Sequence, residues 1–207
     1  MKSWGFILAV LFTLGLPSLA AADPVTLRFN ELSTRPVNGV SIGGVTFSFT
    51  VNGVASTDAV YNATTGPVGT RFLQCPCLEG AANGALTVRF ADPVNRIQFG
   101  LALPTFVNLQ PGFTVQLFNA NAQLIGTFPV NTSPVLTFSE AQFSYLGTHV
   151  TTMVITFNPN GGRFALDNLT FETPEPATLT LLLLGISGMA GAIRRRRKLP
   201  DQDKAGH

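Results

Sequence analysis

Residues 23–173 contain no lysine, no tryptophan and one histidine, His149, and the whole chain has only two cysteines, Cys75 and Cys77. Each scarcity removes a class of function. Six arginines stand against eight carboxylates in that stretch, so it is slightly acidic. Phosphate binding takes a clustered basic surface, and nucleic acid is therefore not an expected partner. The formal charge of +2 on the full chain belongs mostly to its two ends. A thiolate zinc site would need more donors than one cysteine pair and a distant imidazole supply. A hydrolase triad needs a nucleophile, a base and an orienting acid within hydrogen-bond reach. The single imidazole lies in Gly147-Thr148-His149-Val150, which reads as the opening of a strand, and no nucleophile elbow presenting a serine is expected. Among the scattered carboxylates a glycosidase pair such as Glu79 with Glu140 has nothing in its spacing to recommend it. There is no phosphate loop either. The expectation is that the chain is not an enzyme.

Between Pro24 and Phe171 no segment sustains a helical apolar face. What is there instead is alternation. Val45-Thr46-Phe47-Ser48-Phe49-Thr50-Val51 places large apolar and hydroxyl residues in turn, the period of a half-buried strand. The same period returns at 85–90, 113–118, 153–157 and 164–171. Turn formers separate these runs: Asn52-Gly53, Gly66-Pro67, Asp92-Pro93, Gln110-Pro111-Gly112, Asn119-Ala120-Asn121 and Asn158-Pro159-Asn160-Gly161-Gly162. About ten short strands at this spacing predict an all-β domain, a β-sandwich or jelly roll over residues 23–172. At about 150 residues it can bury a core without further staples. The many phenylalanines are expected to fill that core.

The two ends carry a different pattern. Lys2, the apolar stretch 6–16 and the small residues Ser18-Leu19-Ala20-Ala21-Ala22 have the form of a secretory signal over residues 1–22, cleaved by signal peptidase after Ala20 or Ala22. At the other end Pro174-Glu175-Pro176 precedes an uncharged apolar run, 177–193, and then Arg194-Arg195-Arg196-Arg197-Lys198. At the helical rise that run reaches roughly 25 Å, adequate for a thin or locally thinned bilayer. Helical backbone satisfies its own peptide groups in lipid, so a spanning helix is expected. Five successive cations resist translocation and would anchor it on the cytoplasmic side, followed by a cytoplasmic tail, 199–207.

These three parts in order, Pro174-Glu175-Pro176, the leucine-rich run and the arginine block, resemble the PEP-CTERM sorting signal of Gram-negative bacteria. The resemblance implies that a membrane protease-transpeptidase, exosortase, recognises the Pro-Glu-Pro tripeptide and processes the protein near it. It also implies release to the exterior, typically in bacteria that make exopolysaccharide. Thr173 stands where valine is common, and the tail beyond Lys198 runs past the point where many members stop. The strand order is similar to that of the jelly-roll domains often found before this signal, which resemble carbohydrate-binding modules. That likeness implies a structural Ca²⁺ between the first and last strands, for which Glu31 and Asp167, with Asn30 and Asn168 beside them, supply hard oxygen ligands. The alternative for Asp167 and Asn168 is a bond to neighbouring backbone.

Cys75-Pro76-Cys77 admits three readings in an oxidising compartment: a tight local disulfide, two structural thiols or an intermolecular link, and a redox pair. The local disulfide is the favoured one. The expected function is that of an exported protein, held transiently in the inner membrane with its domain in the periplasm. It then acts at the cell surface or in the extracellular matrix as a structural or binding element. Two rivals differ in class. A lectin-like module acting on exopolysaccharide would show aromatics such as Tyr61, Phe106 or Tyr145 on one face. A secreted hydrolase would show clustered carboxylates in a concave site.

Overall fold

The computed structural model describes residues 23–66, 69–135 and 137–173. The expected signal segment and the apolar run with its flanks, from Pro174 onward, lie outside the described residues. Among the described residues no helix is long and apolar enough to cross a membrane.

The chain is all-β. Short strands β1 (Val25–Leu27), β2 (Arg35–Pro36) and β3 (Ser41–Ile42) lead into β4 (Val45–Val51), followed by β5 (Val54–Ala55), β6 (Val60–Ala63) and β7 (Cys77–Ala81). Longer strands follow: β8 (Gly84–Leu103), β9 (Leu109–Phe118), β10 (Leu124–Val135), β11 (Phe138–Phe157) and β12 (Arg163–Glu172). Every pairing among them is antiparallel, and the hydrogen bonds run without a break from one layer into the other.

Two long strands make that continuity. The first part of β8, residues 84–90, pairs with β4, and its last part, from Arg96, pairs with β12. β11 follows it in reverse, with register breaks between Leu146 and Val150 and between Val150 and Thr152. One layer therefore runs β5–β4–β8–β11–β9–β10, and the other runs β10–β11–β8–β12–β7–β6–β2 with β1 on β12. Asp92-Pro93 is not the chain-reversing turn that its composition predicts. It lies inside β8 with residues 91–93 exposed, where the strand leaves one layer for the other. Proline has no N–H to offer a ladder, and a bend between layers is a place where none is needed. Gln110-Pro111-Gly112 likewise lies within β9, and Gly147-Thr148-His149-Val150 falls at the bend of β11 rather than at its start.

Alternation does what its period requires. Val45, Phe47 and Phe49 of β4 are buried while Thr46 faces out. Phenylalanines close the gap between layers: Phe49 meets Phe164 at 5.8 Å between ring centroids, Phe99 meets Phe113 at 5.9 Å and Phe90 meets Phe171 at 5.2 Å. Phe157 stacks on Phe164 at 3.8 Å. A fully buried phenylalanine contributes about 1.5–3 kcal/mol, so this row accounts for much of the cohesion. Asn52 and Gly53 both take positive φ, 52° and 77°, and close the β4–β5 hairpin as an Asn-Gly pair is suited to do.

Candidate functional site

Part of the outer face of the second layer is covered, with Gly100, Ala102, Glu140 and Asp167 all buried. Register places Glu79 beside Ala165, Ala165 beside Ala102, and Ala102 beside Glu140, a lateral row across β7, β12, β8 and β11. Two alanines in the middle leave a shallow floor, and the carboxylates stand at either end. Residues 69–76 cross that floor as a strap. Phe72, Leu73 and Cys75 pack with Cys77, Ala102, Ala165 and Phe138 in an apolar cluster separate from the main core. Gly100 lies directly under the strap: a β-carbon there would stand 2.5 Å from the carbonyl oxygen of Phe72.

Buried carboxylates hold the strap down by its backbone. The Arg71 N–H donates to both oxygens of Glu140, at 3.1 and 3.0 Å. The Gln74 N–H donates to Asp167 Oδ2 at 2.7 Å, and Asn168 Nδ2 donates to the Phe72 carbonyl at 2.9 Å. Thr65 Oγ1 donates to Glu79 Oε2 at 2.9 Å. Within the strap Thr70 closes a turn on Leu73. Cys75 and Cys77 are joined by a disulfide, with Cα atoms 4.4 Å apart, where the strap meets β7.

One acceptor in this array has no partner. Glu79 is 7 % exposed, and its Oε1 finds no hydrogen bond among the described residues. It lines a cavity of about 270 Å³ together with Thr65, Gly66, Pro104, Phe138 and Arg163, over the floor made by Ala102 and Ala165. Gly66 sits against the carboxylate, since a β-carbon there would fall 2.9 Å from Oε1. At the margin Arg163 Nη1 pairs with Asp58 Oδ1 at 3.2 Å. An unpaired buried acceptor costs about 1–3 kcal/mol, which makes this oxygen the least satisfied polar group described.

Each oxygen of Glu31 and Asp167, expected as calcium ligands, accepts one hydrogen bond from the protein. Glu31 accepts from the Arg28 N–H at 2.7 Å and from the Tyr61 hydroxyl at 2.6 Å. Asp167 accepts from the Gln74 and Asn168 N–H groups, each at 2.7 Å. Burial pulls the Glu31 carboxyl upward, but the Tyr61 hydroxyl and the backbone N–H groups of Arg28, Glu31 and Asn30 outweigh it and hold the group below its ordinary 4.5. Tyr61 is pushed up by burial and by the Glu31 charge. Asp167 is raised, first by burial and further by Glu31, against the pull of its two N–H donors and Arg28. Ca²⁺ takes six to eight oxygens, whereas N–H and O–H donors already point at all four here. Among the described residues no three of His, Cys, Asp and Glu are placed to share an ion.

The remaining sequence candidates scatter. Tyr61 is a core residue, fully buried between Phe29 and Phe47, and not a surface aromatic. Phe106 is 66 % exposed in the β8–β9 connection. Tyr145 leans on Phe128 and donates its hydroxyl to the Thr148 carbonyl. His149 is exposed on β11. One Gly-x-Ser-x-Gly string does occur, Gly39-Val40-Ser41-Ile42-Gly43, but it forms the β3–β4 hairpin, where Ser41 Oγ accepts from Thr46 Oγ1. Strand β4 follows it directly, so it is not the strand-turn-helix elbow of a hydrolase. Pro174, Glu175, Pro176 and the cations 194–198 lie outside the described residues. Sequence reasoning missed the strap and its cavity. The one available signal was a Cys-Pro-Cys segment running straight into a strand that reads Cys-Leu-Glu-Gly-Ala, with a carboxylate among buried neighbours.

Comparison with known proteins assigns the C-terminal segment. Residues 172–198 match the PEP-CTERM protein-sorting motif. The chain thus carries a sorting motif that implies export and exosortase processing. No curated protein matches the chain. Among solved structures the domain is similar to the K2 cleaved adhesin domain of Lys-gingipain, at 11 % identity and TM-score 0.41, covering 73 % of this chain and all of that one. It is also similar to a family 29 carbohydrate-binding module from Piromyces equi, at 10 % identity and TM-score 0.39, covering 73 % of this chain and 91 % of that one. These likenesses concern strand architecture alone, because ligands reside in sites rather than in folds.

Proposed function

We propose that this protein is an exported PEP-CTERM substrate whose β-sandwich acts at the cell surface or in the extracellular matrix. In this reading a signal segment, 1–22, takes it across the inner membrane. The apolar run 177–193 then holds it there, with the cations 194–198 at the cytoplasmic face. Exosortase acts at Pro174-Glu175-Pro176 and frees the sandwich to serve as a structural or binding element. The observation that carries the reading is the position of the motif. It begins at residue 172, and β12 ends at Glu172, so the sorting signal starts where the last strand closes the domain.

The test is fractionation of cells producing the chain with and without Pro174-Glu175-Pro176. The intact chain is expected in the outer fraction or medium, shortened. The deleted chain is expected to stay with the inner membrane at full length. An identical distribution of both would overturn the reading.

A further inference from the structure

We propose that a cleft at one end of the first layer, floored by Ala85 and walled by Thr50 and Thr156, binds an uncharged saccharide through its hydroxyls. The assignment rests on the surface-protein reading for its setting, and it names a ligand class and a site that reading leaves open.

The cleft follows from register. Thr50 of β4 and Thr156 of β11 both stand beside Ala85 of β8, one lateral row across three strands. Phe49, Leu86 and Ile155, their neighbours along each strand, are fully buried, so alternation turns the row outward. At the usual strand spacing the two threonine Cα atoms are about 9.5 Å apart. The small side chain of Ala85 leaves a notch between them. Two hairpin tips close its end, with Asn52 from β4–β5 and Asn83 from β7–β8, and Pro159 supplies an apolar wall. The space is about 370 Å³, within the range of small-ligand pockets. Backbone bonds fix its frame: the Ala82 N–H donates to the Gly162 carbonyl at 2.9 Å, and Asn158 Nδ2 donates to the Pro111 carbonyl at 2.9 Å.

Three properties select the ligand. The first is charge: among the described residues no ionisable side chain lines the cleft, so neither an anion nor a cation finds its counter-charge there. The second is polarity. Two carboxamides and two hydroxyls can each donate and accept, as the hydroxyls of a sugar require. Asn52, Asn83 and Thr156 are exposed and Thr50 is half-buried, so a ligand can reach all four. The third is the backbone. At this row β4 is paired with β5 and β8, β8 with β4 and β11, and β11 with β8 and β9. No ladder edge is left for an extended peptide to join. The setting suits a surface ligand as well. β12 starts beside Ala81, near the cleft, and finishes beside Arg96, so the strand that leads into the sorting motif leaves from the far end.

The test uses the full-length chain in a zwitterionic detergent that has no sugar headgroup. Binding of the methyl pyranosides of glucose, galactose, mannose and N-acetylglucosamine is followed by ligand-observed NMR. Methyl glucuronoside, which carries a carboxylate, and a blocked alanine tripeptide are separate arms. At least one neutral pyranoside is expected to saturate in the millimolar range, with the same affinity at low and high NaCl. Ala85→Leu fills the notch and should abolish that saturation. Thr156→Val keeps the shape, removes one hydroxyl and should weaken binding about threefold or more. It carries the test alone if Ala85→Leu does not fold. Thr127→Val, an exposed position on β10 of the same layer, should bind as the wild type does. The proposal is overturned if no neutral pyranoside saturates or if a folded Ala85→Leu or Thr156→Val binds as the wild type does. It is equally overturned if Thr127→Val weakens binding as much, or if the glucuronoside or the peptide binds in the neutral sugar's place. The sorting reading is read from cell fractions and this one from NMR, so either can fail while the other stands.

Discussion

Asp167 is a carboxylate with no solvent exposure on the last strand, and its two N–H donors explain why it is tolerated there. Alanine in its place would leave both donors without their charged acceptor, at about 1–3 kcal/mol each. Asp167→Ala should therefore lower stability by about 2–6 kcal/mol, read from denaturant unfolding. Because each of the four oxygens of Glu31 and Asp167 already accepts a hydrogen bond from the protein, neither CaCl₂ nor a chelator should move the melting temperature of the wild type. A gain with Ca²⁺ that vanishes in Asp167→Ala would show that the ion displaces these donors. Glu31 gives a pH signature of definite sign. Its folded value lies below the ordinary 4.5, so its contribution is present above that value and disappears as pH falls through the lower, folded one. The melting temperature gap between wild type and Glu31→Gln should be open at neutral pH and close in acid below 4.5. Asp167, raised by burial, works in the opposite direction: its contribution is fullest below 3.8 and is lost as pH rises through its folded value.

At the scale of elements, the strap and the two bent strands are the features that position the site. Gly100 is required because the Phe72 carbonyl lies on it. Gly100→Ala should lift the strap and free the Arg71 and Gln74 amides from Glu140 and Asp167. Hydrogen exchange at those two amides should accelerate while Val88 and Ile155, fully buried in the core, keep their protection. Unchanged exchange at Arg71 and Gln74 would mean that the strap is held by something other than this contact. The same elements show what the sequence could and could not reveal. The strand at 45–51 is legible because alternation depends only on which face is buried. Asp92-Pro93 misleads, since the same residues that end a strand also let one bend through a bulge, and pairing partners far along the chain decide which occurs. The strap is invisible for a related reason. Ala102 and Ala165 look like ordinary small strand residues until register sets them side by side beneath residues 69–76. Tyr61, one of the rings a lectin-like face would expose, is buried instead. Its partner, Glu31, comes from a loop 30 residues earlier.

For the whole molecule, a slightly acidic, phenylalanine-packed sandwich is followed directly by a PEP-CTERM motif at 172–198. The domain needs no membrane to complete its core, since both layers bury their apolar faces against each other. The account therefore makes the C-terminal segment a removable address, and the sandwich the part that lasts. The most direct test is the mass of the C-terminal peptide of the protein recovered outside the inner membrane. The account predicts a terminus at or beside Pro174-Glu175-Pro176, without the cations 194–198. Recovery of that protein still ending at His207 would contradict it.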